Sequence, residues 1–193
     1  MEKISSFLVD HTKLRPGLYV SRRDRLLAED ESFIKCCPSC KKGCDESYAT
    51  VVTFDLRFVA PNTEPISHAA AHTIEHIGAT FLRSQEGWGK RVVYFGPMGC
   101  FTGFYLIMHL PAEASQRSVV VEDHKFKSVY ELVRGMLAYI TSYPGDQPIP
   151  GASSKECGNW KNHDLQGAKL TADAYLDVLC DDNLGYDRYN YPT

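Results

Sequence analysis

The sequence predicts an α+β fold, an antiparallel sheet with helices packed on one face. Three observations predict it. β-branched and aromatic runs recur along the chain, bounded by Pro and Gly. Between them lie segments whose apolar residues repeat at helical spacing. Gly96-Pro97-Met98-Gly99-Cys100, which joins two of the runs, is too short for a crossover and implies a hairpin.

In chain order, the first strand runs from Tyr48 to Ala60, carried by Val51, Val52, Phe54, Leu56, Phe58 and Val59 and ended by Pro61. A helix follows whose apolar residues are Ala69, Ala70, Ala71, Ile74, Ile77, Ala79, Phe81 and Leu82. Arg91 to Phe95 is a short strand and Thr102 to Leu110 a longer one, with Cys100 on the exposed bend between them. Val119 to Val121 extends the sheet. Val129, Leu132, Val133, Met136, Leu137 and Ile140 recur as a helix that covers it. Tyr143 to Ser154 is a Pro/Gly loop leading to Cys157-Gly158. A third helix runs from about Asp164 to Cys180, with Leu165, Ala168, Ala172, Tyr175, Leu176 and Leu179 on its stripe. A polar tail begins at about residue 181.

At 193 residues and 44% hydrophobic content, the chain can bury the core of one domain spanning 1–193. Its net charge of -3 gives no bulk attraction for nucleic acid or an anionic membrane, and no stretch approaches the length of a membrane span. The first residues lack the sustained apolar run of a secretory signal. Seven cysteines, an odd number, argue against a secreted disulfide framework. These features lead us to expect a cytoplasmic protein with reduced thiols.

The segment richest in chemistry is His72-Thr73-Ile74-Glu75-His76. On a helix the two imidazoles, four residues apart, lie over one another and can grip one transition metal, with Glu75 on the same side without needing to be a ligand. The order H-x-x-E-H inverts the commoner metalloprotease pattern. The plain alternative is a solvated polar face. The apolar neighbours weigh against it, because His and Glu packed among them each need a partner. Two ligands leave the coordination sphere short, so a third must come from elsewhere.

Five motifs occur together: SSFLVDHT near the start, FDLRFVAPN at Phe54 to Asn62, HTIEH, PMGCFTGFY at Pro97 to Tyr105 and ECGNW at Glu156 to Trp160. In order and approximate spacing they resemble LuxS, the S-ribosylhomocysteine lyase family, from residue 5 to about 180, with its LuxS/metallohydrolase-like fold. The resemblance implies a metal held by His72, His76 and Cys157, one divalent ion per subunit: Fe(II) in the cell, with zinc or cobalt able to replace it. It implies cleavage of S-ribosylhomocysteine to homocysteine and 4,5-dihydroxy-2,3-pentanedione, an autoinducer precursor, by metal-assisted isomerisation and β-elimination. Glu75 matches the family's acid/base and Cys100 its second proton carrier. A thiol serves there only as thiolate, and Arg57 of FDLRF is the candidate cation to lower its pKa. Asp55, on the same side of the strand, is the alternative partner for that Arg. Ser6 and His11 match residues that contact the sugar, and the family implies a homodimer with the active site at its interface.

The chain departs from the usual pattern in places. Phe101 stands where most members have Arg, and Tyr94, Phe95 and Gly96 replace an acidic residue, Ile and Ser, which bears on recognition of the substrate's amino-acid end. An insertion at about 33–47 carries Cys36, Cys37, Cys40 and Cys44. A second structural metal, a redox-labile disulfide and a plain cysteine-rich loop all fit it. Two other functions compete with the lyase. An inverzincin-type metallopeptidase leaves Cys100, Cys157 and the FDLR strand unexplained. A metal-binding sensor or interaction module without turnover has no need of the proton carriers Glu75 and Cys100.

Overall fold

The structure is a computed structural model that describes residues 9–27, 48–111, 126 and 128–180. Ser6, Cys36, Cys37, Cys40, Cys44, Val119 to Val121 and the tail from 181 lie outside the described residues. Four strands, β1 (Gly17–Leu27), β2 (Tyr48–Arg57), β3 (Val92–Pro97) and β4 (Gly103–Pro111), form one antiparallel sheet in the order β1-β2-β4-β3. Among the described residues three α-helices accompany it: α1 (His68–Ser84), α2 (Val129–Thr141) and α3 (Leu165–Cys180).

Strand β1 is absent from the sequence reading. Arg22, Arg23, Asp24 and Arg25 interrupt its apolar pattern, a composition that suits an edge strand, and Arg22 and Arg23 are exposed to water. It pairs with β2 from Gly17↔Arg57 to Leu27↔Tyr48, with an irregularity between Val20 and Arg22. Strand β2 ends three residues before Ala60. The Phe58 and Val59 N–H groups both turn to Thr102 O at 3.1 Å instead of continuing the ladder. The hairpin turn also begins two residues later than expected. Gly96 and Pro97 still pair in β3, and the bend is Met98 to Phe101, closed by Phe101 N–H to Met98 O at 2.9 Å.

Period-two alternation puts Val52, Phe54 and Leu56 of β2 and Phe104, Leu106, Met108 and Leu110 of β4 into the buried core with the helices. Burying each such side chain contributes about 1.5–3 kcal/mol. Asp55 and Arg57, on the opposite parity, face the other way. Helix α1 starts where Ser67 accepts the Ala70 N–H at 3.2 Å and buries Ile74, Ile77, Phe81 and Leu82. Gly78 lets it approach β3, since a Cβ there would stand 2.7 Å from the Phe95 ring. Helix α2 is capped by Ser128, which accepts the Glu131 N–H at 3.1 Å. It packs mainly on α1 and α3 instead of lying directly on the sheet. Helix α3 is tied to β1 by Tyr175, fully buried, whose hydroxyl donates to Gly17 O at 2.8 Å while its ring stacks on Phe58 at 4.0 Å.

Candidate metal centre and active site

The middle of α1 puts His72 and His76 one turn apart, their ring centroids 4.6 Å from each other. Each turns its Nδ1 to a backbone carbonyl, His72 to Asn162 O at 2.9 Å and His76 to Pro150 O at 2.7 Å. A carbonyl only accepts, so Nδ1 carries the proton and each Nε2 keeps a free lone pair. The 143–157 loop brings Cys157 to this point, with its sulfur 3.3 Å from His72 Nε2. The Asn159 N–H donates to that sulfur at 3.4 Å. Among the described residues, these three ligand atoms form the one group of potential metal donors, all within 4.8 Å of one another.

The donor set fits a metal. Two imidazoles and a thiol suit borderline ions such as Fe(II), zinc and cobalt and are poor ligands for magnesium or calcium. Tetrahedral bonds of ordinary length place sulfur and nitrogen ligands about 3.5 Å apart, close to the observed separation of sulfur and His72. Glu75, half-buried between the two histidines, is not part of the group.

The flanking loops are fastened to α1 around this cluster. Gly151 has φ +69°, and a Cβ there would press to 3.3 Å from His76 Nδ1, so the chain needs glycine to present the Pro150 carbonyl. Thr73, fully buried, donates to Ala69 O at 2.8 Å and accepts the Asp164 N–H at 2.9 Å. His163 Nδ1 lies 3.2 Å from the same hydroxyl. The His163 ring stacks on His72 at 4.3 Å and 14° and meets His76 edge-on at 4.9 Å. Burial, and then the neighbouring His72 and His76, hold the His163 imidazole down at about 4.

A second cluster forms where β2 meets the bend after β3. Arg57, 3% exposed, grips the Asp55 carboxylate with Nε at 3.1 Å and Nη2 at 2.5 Å. Its Nη1 donates to Thr102 Oγ1 at 2.5 Å and lies 3.9 Å from Cys100 Sγ. Thr102 Oγ1 and Cys100 Sγ are 3.1 Å apart. Partial burial raises the Cys100 thiol, but the Thr102 hydroxyl and N–H and the Arg57 charge together outweigh it, leaving the thiol below its ordinary value. Both expected partners of Arg57, Asp55 and Cys100, are therefore engaged at once.

Phe101 links the two clusters. Its carbonyl accepts the Ile66 N–H at 2.8 Å, just ahead of α1, and its ring lies 5.5 Å from that of His68. His68 is in turn 6.3 Å from His72, ring to ring. Phe101 adopts φ +53°, a left-handed conformation that a bulky residue seldom takes. His11 bonds to Val9 O at 2.9 Å within its own segment and belongs to neither cluster among the described residues. The sequence reading missed Thr73, Thr102 and His163. Their only local signal is proximity to a motif: Thr73 within HTIEH, Thr102 two after Cys100, and His163 just before the third helix.

The sequence pattern of the family described as S-Ribosylhomocysteinase (LuxS) matches residues 33–183. The chain belongs to the LuxS family. It is 44% identical over 193 residues to the S-ribosylhomocysteine lyase of Borreliella burgdorferi, with 100% of both chains covered. It is 43% identical over 191 residues to that of Desulfotalea psychrophila, covering 96% of this chain and 99% of the relative. It is 37% identical over 193 residues to that of Clostridium acetobutylicum, covering 100% of this chain and 99% of the relative. As in the LuxS resemblance read from the motifs, the similarity runs through the whole domain.

Proposed function

We propose that this chain is an S-ribosylhomocysteine lyase, a carbon–sulfur lyase releasing homocysteine and 4,5-dihydroxy-2,3-pentanedione. Supporting this reading is the convergence of His72, His76 and Cys157 within 4.8 Å, on a scaffold that also lowers the pKa of Cys100. His72, His76 and Cys157 would hold one divalent ion, Fe(II) in the cell with zinc or cobalt as replacements. When bound, that ion would supply Lewis acidity toward a substrate carbonyl.

The chain's own groups then move the protons. The ribose aldehyde becomes a 2-ketone and then a 3-ketone, each shift taking a proton from the carbon beside the carbonyl, returning one to the former carbonyl carbon and moving the hydroxyl proton from one oxygen to the other. Cys100 as thiolate and Glu75 as carboxylate are the exchanging bases. In the last stage the C4 proton goes to the base, its electron pair forms the C4–C5 double bond as the C5–S bond breaks, and the resulting enol loses its hydroxyl proton and gains one at C5 to give the dione. Homocysteine leaves as a thiolate that takes up a proton, and no oxidant or reductant is consumed. Arg57 and Thr102 keep Cys100 ready to lose its proton. Ser6 and His11 complete the sugar site across a homodimer interface. Exposed Val93 and Tyr94 beside half-buried Tyr105 and Ile107, on the sheet face away from the helices, support that pairing. The metallohydrolase-like arrangement, cytoplasmic location and roles in homocysteine recycling and autoinducer supply follow from the same reading.

Cys36, Cys37, Cys40 and Cys44 stand apart from catalysis as a second metal site, a disulfide locus or a plain cysteine-rich loop. A second zinc per subunit, or a disulfide found by peptide mapping, separates those cases.

The deciding experiment is anaerobic turnover of S-ribosylhomocysteine by the Fe(II)-loaded protein, with homocysteine quantified by mass spectrometry. Metal-dependent release supports the lyase. No release from folded, metal-replete protein overturns it and favours the sensor module.

A further inference from the structure

We propose that His163 is a positioning residue for the His72 ligand, and that Thr73 holds it in place. The inference rests on the reading of His72, His76 and Cys157 as metal ligands and adds to it a group that sets the orientation of one of them.

Hydrogen-bond accounting at Thr73 fixes how His163 is held. The hydroxyl has one proton, and it goes to Ala69 O at 2.8 Å. One lone pair receives the Asp164 N–H at 2.9 Å. The remaining contact, His163 Nδ1 at 3.2 Å, therefore has the imidazole N–H as donor and the hydroxyl as acceptor. This fixes the His163 tautomer and the direction of its ring, and it leaves Nε2 as a buried acceptor with no partner among the described residues.

The fixed ring is a flat wall. It lies nearly parallel to His72 at 4.3 Å and presents itself edge-on to His76. His72 is thus restrained from two sides: the Asn162 carbonyl on its Nδ1 sets rotation within the ring plane, and the His163 face opposes tilting out of it. Asn162, His163 and Asp164 are consecutive, so one short segment holds the His72 Nδ1, the His72 face and the Thr73 hydroxyl. A ligand ring held in this way keeps its Nε2 lone pair aimed without loss of rotamer freedom on binding.

Cobalt(II) titration of the purified full-length protein tests this, because the metal's ligand-field and sulfur charge-transfer bands report ligand geometry directly. His163→Ala and Thr73→Val are expected to weaken cobalt binding roughly 10–100-fold and to shift the ligand-field bands. His163→Phe, which keeps a ring against His72, should recover most of the affinity lost by the alanine variant. Thr73→Ser should behave as the parent. A folded His163→Ala protein with parental affinity and spectrum overturns the proposal, as does equal loss in the alanine and phenylalanine variants. Should His163→Ala fail to fold, parental cobalt binding by Thr73→Val overturns it. A parent protein that binds no cobalt instead overturns the ligand reading on which the proposal stands.

Discussion

Arg57 holds its Nη1 3.9 Å from the sulfur of Cys100 while the rest of its guanidinium is committed to Asp55. The arrangement lets a buried cation favour a thiolate without being left uncompensated itself. Breaking a buried pair of this kind typically costs about 3–5 kcal/mol, so Arg57 is structural as well as electrostatic. Thr102 completes the relay: it accepts from Arg57 and can turn its own proton to the sulfur.

Alkylation of Cys100 by iodoacetamide, followed peptide by peptide in a mass spectrometer, is expected to rise with a midpoint below that of an ordinary thiol. The folded value is depressed, so this group's contribution to stability is full above the unfolded thiol's pKa and is lost as pH falls through the folded value. Thr102→Val removes a lowering hydrogen bond and should move the midpoint up. An unchanged midpoint would mean that the hydroxyl does not act on the sulfur.

Glu75→Gln and Cys100→Ala should each retain one metal per subunit and lose homocysteine release by roughly 100-fold or more, the scale of a lost acid/base group. Elemental analysis alongside the release assay separates the roles. Loss of metal on Glu75→Gln substitution would make the carboxylate a ligand or a structural group.

Gly151→Ala places a Cβ against His76 Nδ1 and forces φ +69° on a residue that resists it. The strain is about 1–2 kcal/mol, which lowers Tm by several degrees in a domain of this size. Metal retention during dialysis should fall with it. Gly158→Ala, where a Cβ meets nothing within 4 Å, is the control in the same loop and should melt as the parent does.

Chelation should lower Tm and make Cys157 more reactive toward thiol reagents. A ligand bound only by the native fold stabilises it by mass action, and the sulfur loses a partner when the ion leaves. Equal melting temperatures for the metal-loaded and stripped proteins would contradict a bound ion at this cluster.

Phe101→Arg installs the residue that the family resemblance leads one to expect at this position. If this position recognises the substrate's amino-acid end, KM should change more than kcat. Identical kinetics would show that the Phe101 side chain is remote from the substrate.

What the amino-acid order settled by itself was local. Val52, Phe54 and Leu56 alternate because a strand repeats every two residues, and His72 and His76 share a face because a helix repeats every 3.6. Those periods put β2, β4 and the three described α-helices within a few residues of their observed limits and made two of the three candidate metal donors legible. Where the local pattern was weak, the reading failed: β1 carries four charges among its central residues and is recognisable as a strand only through its pairing with β2. The third candidate donor, Cys157, was legible through the family motif, while its approach to His72 depends on the loop folding back onto α1. Tertiary structure alone decided that Arg57 serves Asp55 and Cys100 together, and that Thr73, Thr102 and His163 brace the two clusters. The physical reason is range. Propensity and periodicity act over a few neighbours, whereas Arg57 and Cys100, or Thr73 and His163, lie tens of residues apart and meet only when sheet, helix and loop have closed on one another.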